Sequence, residues 1–337
     1  MRKWAVALGV LVVVGGLVVG CGTQNGEKSV ASKLEAHVKT LDGSNYKSTA
    51  MMTVQMDNGS QTYYVETWYE SPEVYRIALG DANKQINQII VHNQNGMFIV
   101  SPSLGKVFRF NGNWAQNQGH IYLYNQILSN IVSSKDIQFT KSDGNYNFEL
   151  PVSPANDVVT RERVQLDAKT LNPEQIVLMD KSSTPVVTLK YESFQTGIKF
   201  SPDDFNPQAL VGGEKAKTTL STGDSAASDG PGYINPTLTY GDKLDSMWQV
   251  SDTDAIMRFT GDHAFTLEEW RPVSTVSGLP SGEMINLYGV PAVYTDGGGA
   301  RQLFWLNNGV EFSITSSALS LNQMADVAMS TFNQVGK

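Results

Sequence analysis

Apolar residues come in three textures. An unbroken run from Trp4 to Val19 stands behind Met1, Arg2 and Lys3. From Tyr46 onward, short stretches alternate β-branched or aromatic residues with polar ones, each bounded by Gly, Asn, Asp, Pro or Ser. Between them lie segments with apolar residues three and four apart. A period of two marks a strand buried on one face, and a period of 3.6 marks a helix.

On this basis residues 32–41 predict a short helix with Leu34, His37 and Val38 on one side. Strands are predicted at 52–56, 61–70, 73–79, 88–92, 96–101 and 106–110, an antiparallel meander turning at Asp57-Asn58-Gly59, at 93–96 and at 103–105. Residues 120–132 interrupt it: Tyr124, Ile127, Leu128 and Ile131 recur at helical spacing and predict an amphipathic helix lying on the sheet. Strands resume at 137–140, 146–150, 161–167, 175–180 and 186–191, and the segment closes at Ile198–Pro207.

Residues 211–232 hold few large apolar side chains and read as a linker. Beyond it, strands are predicted at 255–260, 264–270, 284–288 (leading into Gly289–Tyr294), 302–306 and 310–315. A final helix follows, in which Ser320 and Gln323 form a capping box and Leu321, Met324, Ala328 and Phe332 share a face. No internal repeat stands out. The expected division is a leader over 1–20, a modified residue and flexible tether over 21–29, a β-rich domain over 30–207, a linker over 208–232 and a smaller α+β domain over 233–337. The fold class is mainly β with helices.

The amino terminus joins a basic head to an apolar run of 16 residues and a small residue, Gly20. That is the plan of a secretory signal, and it falls short of the roughly 20 residues a spanning helix needs. An uncut signal anchor is the alternative. The sole cysteine, Cys21, follows Val18-Val19-Gly20, which resembles the lipobox of bacterial lipoproteins. That resemblance implies cleavage between Gly20 and Cys21, diacylglycerol on the Cys21 thiol, and anchoring to the outer face of the cell membrane through acyl chains.

Composition narrows the classes. Apolar content of 41%, with 13 Phe, 13 Tyr and 6 Trp, fills a core and excludes global disorder. Lys plus Arg number 25 against 33 for Asp plus Glu, a net charge of −8, and loss of the leader removes two of the positive charges. A chain of that sign lacks the basic footprint nucleic acid requires and is not drawn electrostatically onto anionic lipid. One cysteine excludes an intrachain disulfide.

Little catalytic chemistry stands out. His37, His92, His120 and His263 show neither i, i+4 spacing nor a neighbouring Cys or carboxylate pair, so no metal is expected. Asp203-Asp204 precedes Phe205 in what reads as a turn. Nucleophile-elbow, phosphate-loop and dinucleotide fingerprints do not occur, and Gly297-Gly298-Gly299 reads as a hairpin tip. The expectation is a non-enzyme without a cofactor. The aromatic set Tyr63, Tyr64, Trp68, Tyr75, Phe98, Phe108 and Phe110 is either ordinary sheet core or the lining of an apolar cavity. On the cavity reading the lining is Tyr64, Trp68, Tyr75, Ile77, Ile89, Phe98, Val100, Phe108 and Phe110. Alternation sets Tyr63, Val65 and Tyr69 opposite Tyr64 and Trp68 without deciding which side looks inward.

Several ordered segments resemble the LolA family of lipoprotein carriers and its RseB/MucB relatives. They are Gln88–Pro102 with Asn95-Gly96 at its turn, Val164–Ile176 with Asp167, Thr170 and Pro173, then Val186–Tyr191, and the closing Phe200–Phe205. In the C-terminal part, Gly289–Tyr294, Leu303-Phe304-Trp305, Gly309–Phe312 and the final helix resemble a small domain attached to such proteins in spore-forming bacteria. Signal, lipobox and both parts together resemble the YdcC/GerS-type sporulation or germination lipoproteins. The resemblance implies an open, curved antiparallel sheet, an incomplete barrel whose concave apolar face receives a lipid, the acyl part of another lipoprotein, or a partner segment. Tethering through Cys21 is at odds with the soluble shuttle of the carrier family and implies local presentation, sensing or partner binding. The alternative function is an interaction module holding an envelope, spore-cortex or anti-sigma protein.

Overall fold

A computed structural model describes residues 23–56, 59–102, 105–110, 120–152, 159–213, 233–251, 254–270, 282–287, 290–307 and 310–332. The expected leader, Gly20 and Cys21, and residues 214–232 of the expected linker, lie outside the described residues.

Eleven strands build the first sheet. One meander runs through β1 (Tyr46–Met56), β2 (Gly59–Glu70), β3 (Val74–Gly80), β4 (Ile86–Asn93), β5 (Gly96–Ser101) and β6 (Lys106–Phe110). A second runs through β7 (Gln138–Ser142), β8 (Asn145–Pro151), β9 (Arg161–Asp167), β10 (Pro173–Met179) and β11 (Pro185–Thr196). The order β6-β5-β4-β3-β2-β1-β11-β10-β9-β8-β7 shows how they join: the first strand pairs with the last, antiparallel, through a bulge at Thr49/Ala50. β6 and β7 are the two edges, so the sheet is open. Local sequence fixes the turns. Asp143 and Gly144 both take positive φ, 51° and 82°, as the two-residue type I′ hairpin between β7 and β8 requires.

Two helices cover one face. α1 (Thr23–Asp42) packs against α2 (Tyr124–Ser133), whose buried residues are Tyr124, Ile127, Leu128 and Ile131, the four expected from periodicity. α2 has Leu123 at its N-cap, which offers no side-chain acceptor. The Tyr46 hydroxyl from β1 takes that role: it accepts from the Tyr124 N–H at 3.0 Å and donates to Asn125 Oδ1 at 3.1 Å. Burial holds the Tyr46 phenol well above its ordinary range, so it stays neutral and serves as both donor and acceptor. α1 departs from the expected flexible tether over 21–29 by starting at Thr23. Val30 and Leu34 bury against the core, and once a helix is anchored, each further residue adds a hydrogen bond at little nucleation cost.

The opposite face of β3–β5 carries a second layer that the sequence pattern did not predict. A 3₁₀ turn (Pro202–Phe205) and α3 (Pro207–Gly213) set Phe205 and Leu210 on Ala78, Ile89, Val91, Phe98 and Val100. Asn93 Nδ2 donates to the Phe205 carbonyl at 2.9 Å, and Asp204 Oδ2 accepts from the Ser201 N–H at 2.8 Å. The Asp203-Asp204 pair therefore sits in a capped turn, and the first residues of the expected linker are helical.

The second sheet runs β12-β13-β14-β18-β17-β16-β15. Its strands are β12 (Lys243–Gln249), β13 (Asp254–Thr260), β14 (Phe265–Trp270), β15 (Glu283–Leu287), β16 (Val290–Gly297), β17 (Ala300–Asn307) and β18 (Val310–Ser316), followed by α4 (Leu321–Met329). The capping box forms as expected: Ser320 Oγ accepts from Gln323 N–H at 3.3 Å and Gln323 Oε1 from Ser320 N–H at 2.9 Å. Buried side chains of the two sheets form one continuous core. At their contact, Tyr63, Leu79, Gln88 and Ser101 of the first sheet meet Val290, Leu306 and Asn307 of the second around a void of about 20 Å³. Beside it Lys106 Nζ lies 3.8 Å from Glu311 Oε1, both side chains buried. Burial pushes the Glu311 carboxyl up, and the Lys106 charge pulls it part of the way back.

Candidate functional site: an apolar groove beneath the paired helices

An apolar opening of about 370 Å³ lies where α1 and α2 pass over the β7 edge. Val30, Ala31 and Leu34 of α1 form one wall, and Ile131 and Val132 of α2 the other. Ile137, Phe139 and Phe148 make the floor, with the two phenyl rings 5.2 Å apart. The groove follows from local sequence. Val30 and Leu34 stand four apart and share a helix face. Phe139 and Phe148 are direct cross-strand partners, which brings both rings to one face of the sheet.

Val30, Leu34, Ile131 and Phe148 are buried and Ile137 and Phe139 half-buried, but Ala31 is exposed and Val132 is 41% exposed, so the opening reaches solvent. Glu35 and Ser134 are the polar members of the lining. One helical turn further along α1, the ring of His37 meets Tyr124 edge-on at 6.2 Å. Burial lowers the His37 pKa from 6.5, and its Nε2 finds no hydrogen-bond partner among the described residues. With an apolar lining, two polar groups and a volume within the 300–1,000 Å³ usual for ligand sites, the groove can hold an apolar chain by desolvation.

The nine residues expected to line one cavity do not meet. Tyr75, Ile77 and Phe108 belong to the main core on the helix-bearing face, 9%, 0% and 1% exposed. Ile89, Phe98 and Val100 point the other way and lie beneath Phe205 and Leu210. Trp68 shares that outer side. It stacks on Phe200 at 5.3 Å, and its ring is approached by Lys47 Nζ at 4.4 Å and by the Arg76 guanidinium at 4.6 Å. Tyr64 lies below Lys84 Nζ at 5.1 Å. Phe110 pairs with Met97 through its backbone, and its side chain lies outside the described residues. None of the nine lines the groove. Strand alternation dealt them onto two faces, and two layers, α3 on one side and the second sheet on the other, cover what would have been hollow.

Among the described residues no group of three or more His, Cys, Asp or Glu is placed to hold a metal ion, and no helix is long and apolar enough to cross a membrane.

A family model described as sporulation protein YdcC-like matches residues 1–205. The chain belongs to that family. It is also 29% identical, over 351 residues, to the sporulation protein YdcC of Bacillus subtilis, an alignment spanning 100% of this chain and 99% of the relative. The names of the family and of this relative refer to sporulation and to no catalysed reaction. Solved structures with some likeness include the Pseudomonas aeruginosa MucA/MucB complex, at 14% identity and TM-score 0.31 over 89% of this chain and 97% of the other. The GerS lipoprotein in complex with the CwlD amidase of Clostridioides difficile is represented at 16% identity and TM-score 0.28, covering 52% and 96%. A LolA superfamily protein of Nitrosomonas europaea gives 10% identity and TM-score 0.29, covering 52% and 96%. At such scores these likenesses add nothing to the topology given above. The expected YdcC-type membership and the expected mainly β fold with open antiparallel sheets both hold.

Proposed function

We propose that this YdcC-family protein is a non-catalytic, extracytoplasmic lipoprotein, anchored through Cys21, that holds an apolar chain such as a lipid or the acyl part of another lipoprotein. The observation that carries this reading is the solvent-open groove between α1, α2 and the β7–β8 hairpin, lined by Val30, Leu34, Ile131, Val132, Phe139 and Phe148. Each methylene transferred from water into it contributes about 0.8 kcal/mol. Its position suits a membrane anchor. α1 starts two residues after Cys21, and Val30 lies seven residues along it, about 10 Å at 1.5 Å per residue. The helix in place of a loose tether would keep the groove near the bilayer.

The test uses protein purified natively from membranes. Intact-mass spectrometry reads the Cys21 modification and any co-purifying lipid, and displacement of a fluorescent fatty acid reads the groove. Val132→Glu places a charge in the wall at a side chain already 41% exposed, so it should abolish probe binding while changing stability by no more than about 0.5 kcal/mol. Probe binding that survives Val132→Glu would remove the groove from the proposal. An unmodified Cys21 thiol would remove the anchor.

A second reading, an interaction module for an envelope or spore-cortex protein, is favoured by one observation. The second sheet already occupies the helix-bearing face at Tyr63, Leu79 and Gln88, where the described residues enclose about 20 Å³, too little for an acyl chain. On that reading native protein carries a stoichiometric protein partner and no lipid.

A further inference from the structure

Large exposed apolar side chains are concentrated at one place in the second sheet. Leu244, Met247, Trp248 and Val250 are exposed by 47%, 39%, 49% and 62%, and among the described residues only Val132 at the groove joins them in that class. The first three belong to β12 and Val250 directly follows it. Among the described residues β12 is an edge strand, paired with β13 and with no strand on its other side.

The ladder shows which backbone groups face outward. Val250 N–H donates to the Asp254 carbonyl at 2.9 Å, and Trp248 stands opposite Ile256 with Gln249 opposite Ala255. Antiparallel pairs alternate between bonded and non-bonded. Residues 248 and 250 therefore turn their amides and carbonyls toward β13, while Met247 and Gln249 turn theirs to the open edge. Natural edges are usually blunted by charge, proline, a bulge or a covering segment. β12 has a bulge between Leu244 and Ser246, but residues 246–250 beyond it carry neither charge nor proline. Trp248 and Val250 lie on one face of this stretch and Met247 on the other, the pattern of a strand inside a sheet.

We propose that β12 pairs antiparallel with β12 of a second copy of this chain, about a two-fold axis through Trp248. Met247 then stands opposite Gln249 on both sides of the axis, and the outward groups of these residues exchange four N–H···O=C bonds. Trp248 meets Trp248 of the second copy at the intervening non-bonded position, where side chains approach most closely. Two features suit this edge to a second copy of itself. The outward groups flank Trp248 symmetrically, and so match themselves under a two-fold rotation, as an isologous contact requires. The contacting stretch 246–250 is also uncharged, so two copies meet there without placing like charges opposite one another, despite the acidity of the whole chain.

The test uses the full chain in membranes under mild oxidation. Trp248→Cys should yield a disulfide-linked homodimer, since the non-bonded pair brings the two Cβ atoms within disulfide reach. Gln249→Cys, which faces Met247 and lies two residues along the strand from its own counterpart, should stay monomeric, and the unsubstituted chain reports any link through Cys21. Met247→Pro removes an outward N–H without touching the β13 ladder, a place where an edge strand tolerates proline. In sedimentation of the full chain in detergent it should raise the dimer dissociation constant at least about tenfold, equivalent to about 1.4 kcal/mol, with an unchanged circular dichroism spectrum. A Trp248→Cys chain that stays monomeric, one that links to a different protein instead of itself, equal linking at Gln249→Cys, or a dimer indifferent to Met247→Pro would each overturn the proposal.

Discussion

Replacing Tyr46 by Phe removes a single oxygen, and the structure specifies what that oxygen does. Tyr46 is fully buried, and Tyr124, whose N–H it accepts at 3.0 Å, is 1% exposed. The phenyl ring keeps its stacking on Tyr69, 4.9 Å away, so packing is preserved. The Tyr124 N–H is left at the start of a helix whose N-cap, Leu123, has no side chain to replace the lost acceptor. A buried donor without a partner costs about 1–3 kcal/mol, and losing a helix cap typically costs about 1 kcal/mol. These describe largely the same bond, so the expected loss is about 2 kcal/mol. For a domain of this size that corresponds to about 4–8 °C in Tm. The effect should also reach the groove, because Ile131 and Val132 are carried on α2. Urea unfolding of Tyr46→Phe beside the parent gives the energy, and amide hydrogen exchange at Tyr124 and Asn125 gives its location. A loss below about 0.5 kcal/mol, the size of an ordinary neutral substitution, with the Tyr124 amide as protected as before, would refute the assignment of Tyr46 as the cap of α2.

Two further predictions concern pH. Burial raises the Glu311 carboxyl above 4.5, so the folded state holds its proton longer than the unfolded chain does; the associated stability is present below 4.5 and is lost as pH rises through the raised value. Glu311→Gln should flatten that decline in urea midpoints taken from acid to neutral pH, and an unchanged slope would be evidence against it. His37 is shifted the other way. Burial lowers its pKa from 6.5, so its contribution is present above 6.5 and fades as pH falls through the depressed value. Acidification should therefore increase hydrogen exchange along α1 before the sheets respond, and His37→Asn should abolish that early step.

Local features of the fold were largely legible in the sequence, and relations between layers were not. Asp143-Gly144 dictated its hairpin because glycine and aspartate accept positive φ, and the stripe through Tyr124, Ile127, Leu128 and Ile131 fixed the buried side of α2. The closure of β1 on β11 spans some 140 residues of chain and leaves no local trace. β12 escaped notice because exposure on both sides erased the alternation by which strands are recognised. The expected cavity failed for a related reason. Trp68, Phe98 and Val100 stand on one side of the sheet and Tyr75, Ile77 and Phe108 on the other, and period two cannot say which side a distant helix will cover. The actual groove had one signal: Val132 follows Ile131 and lies just outside the buried stripe, an apolar residue with no core of its own to join.

The lid that the second sheet places over Tyr63, Leu79 and Gln88 has a consequence in time. A chain made from its amino end finishes β2–β6 while the stretch bearing Val290, Leu306 and Glu311 is still to arrive. Until then a broad greasy surface faces water, together with the lone ammonium of Lys106. Factors that shield unfinished chains have their natural target there, and a ribosome stalling shortly after residue 232 would strand the half-made molecule in its stickiest state.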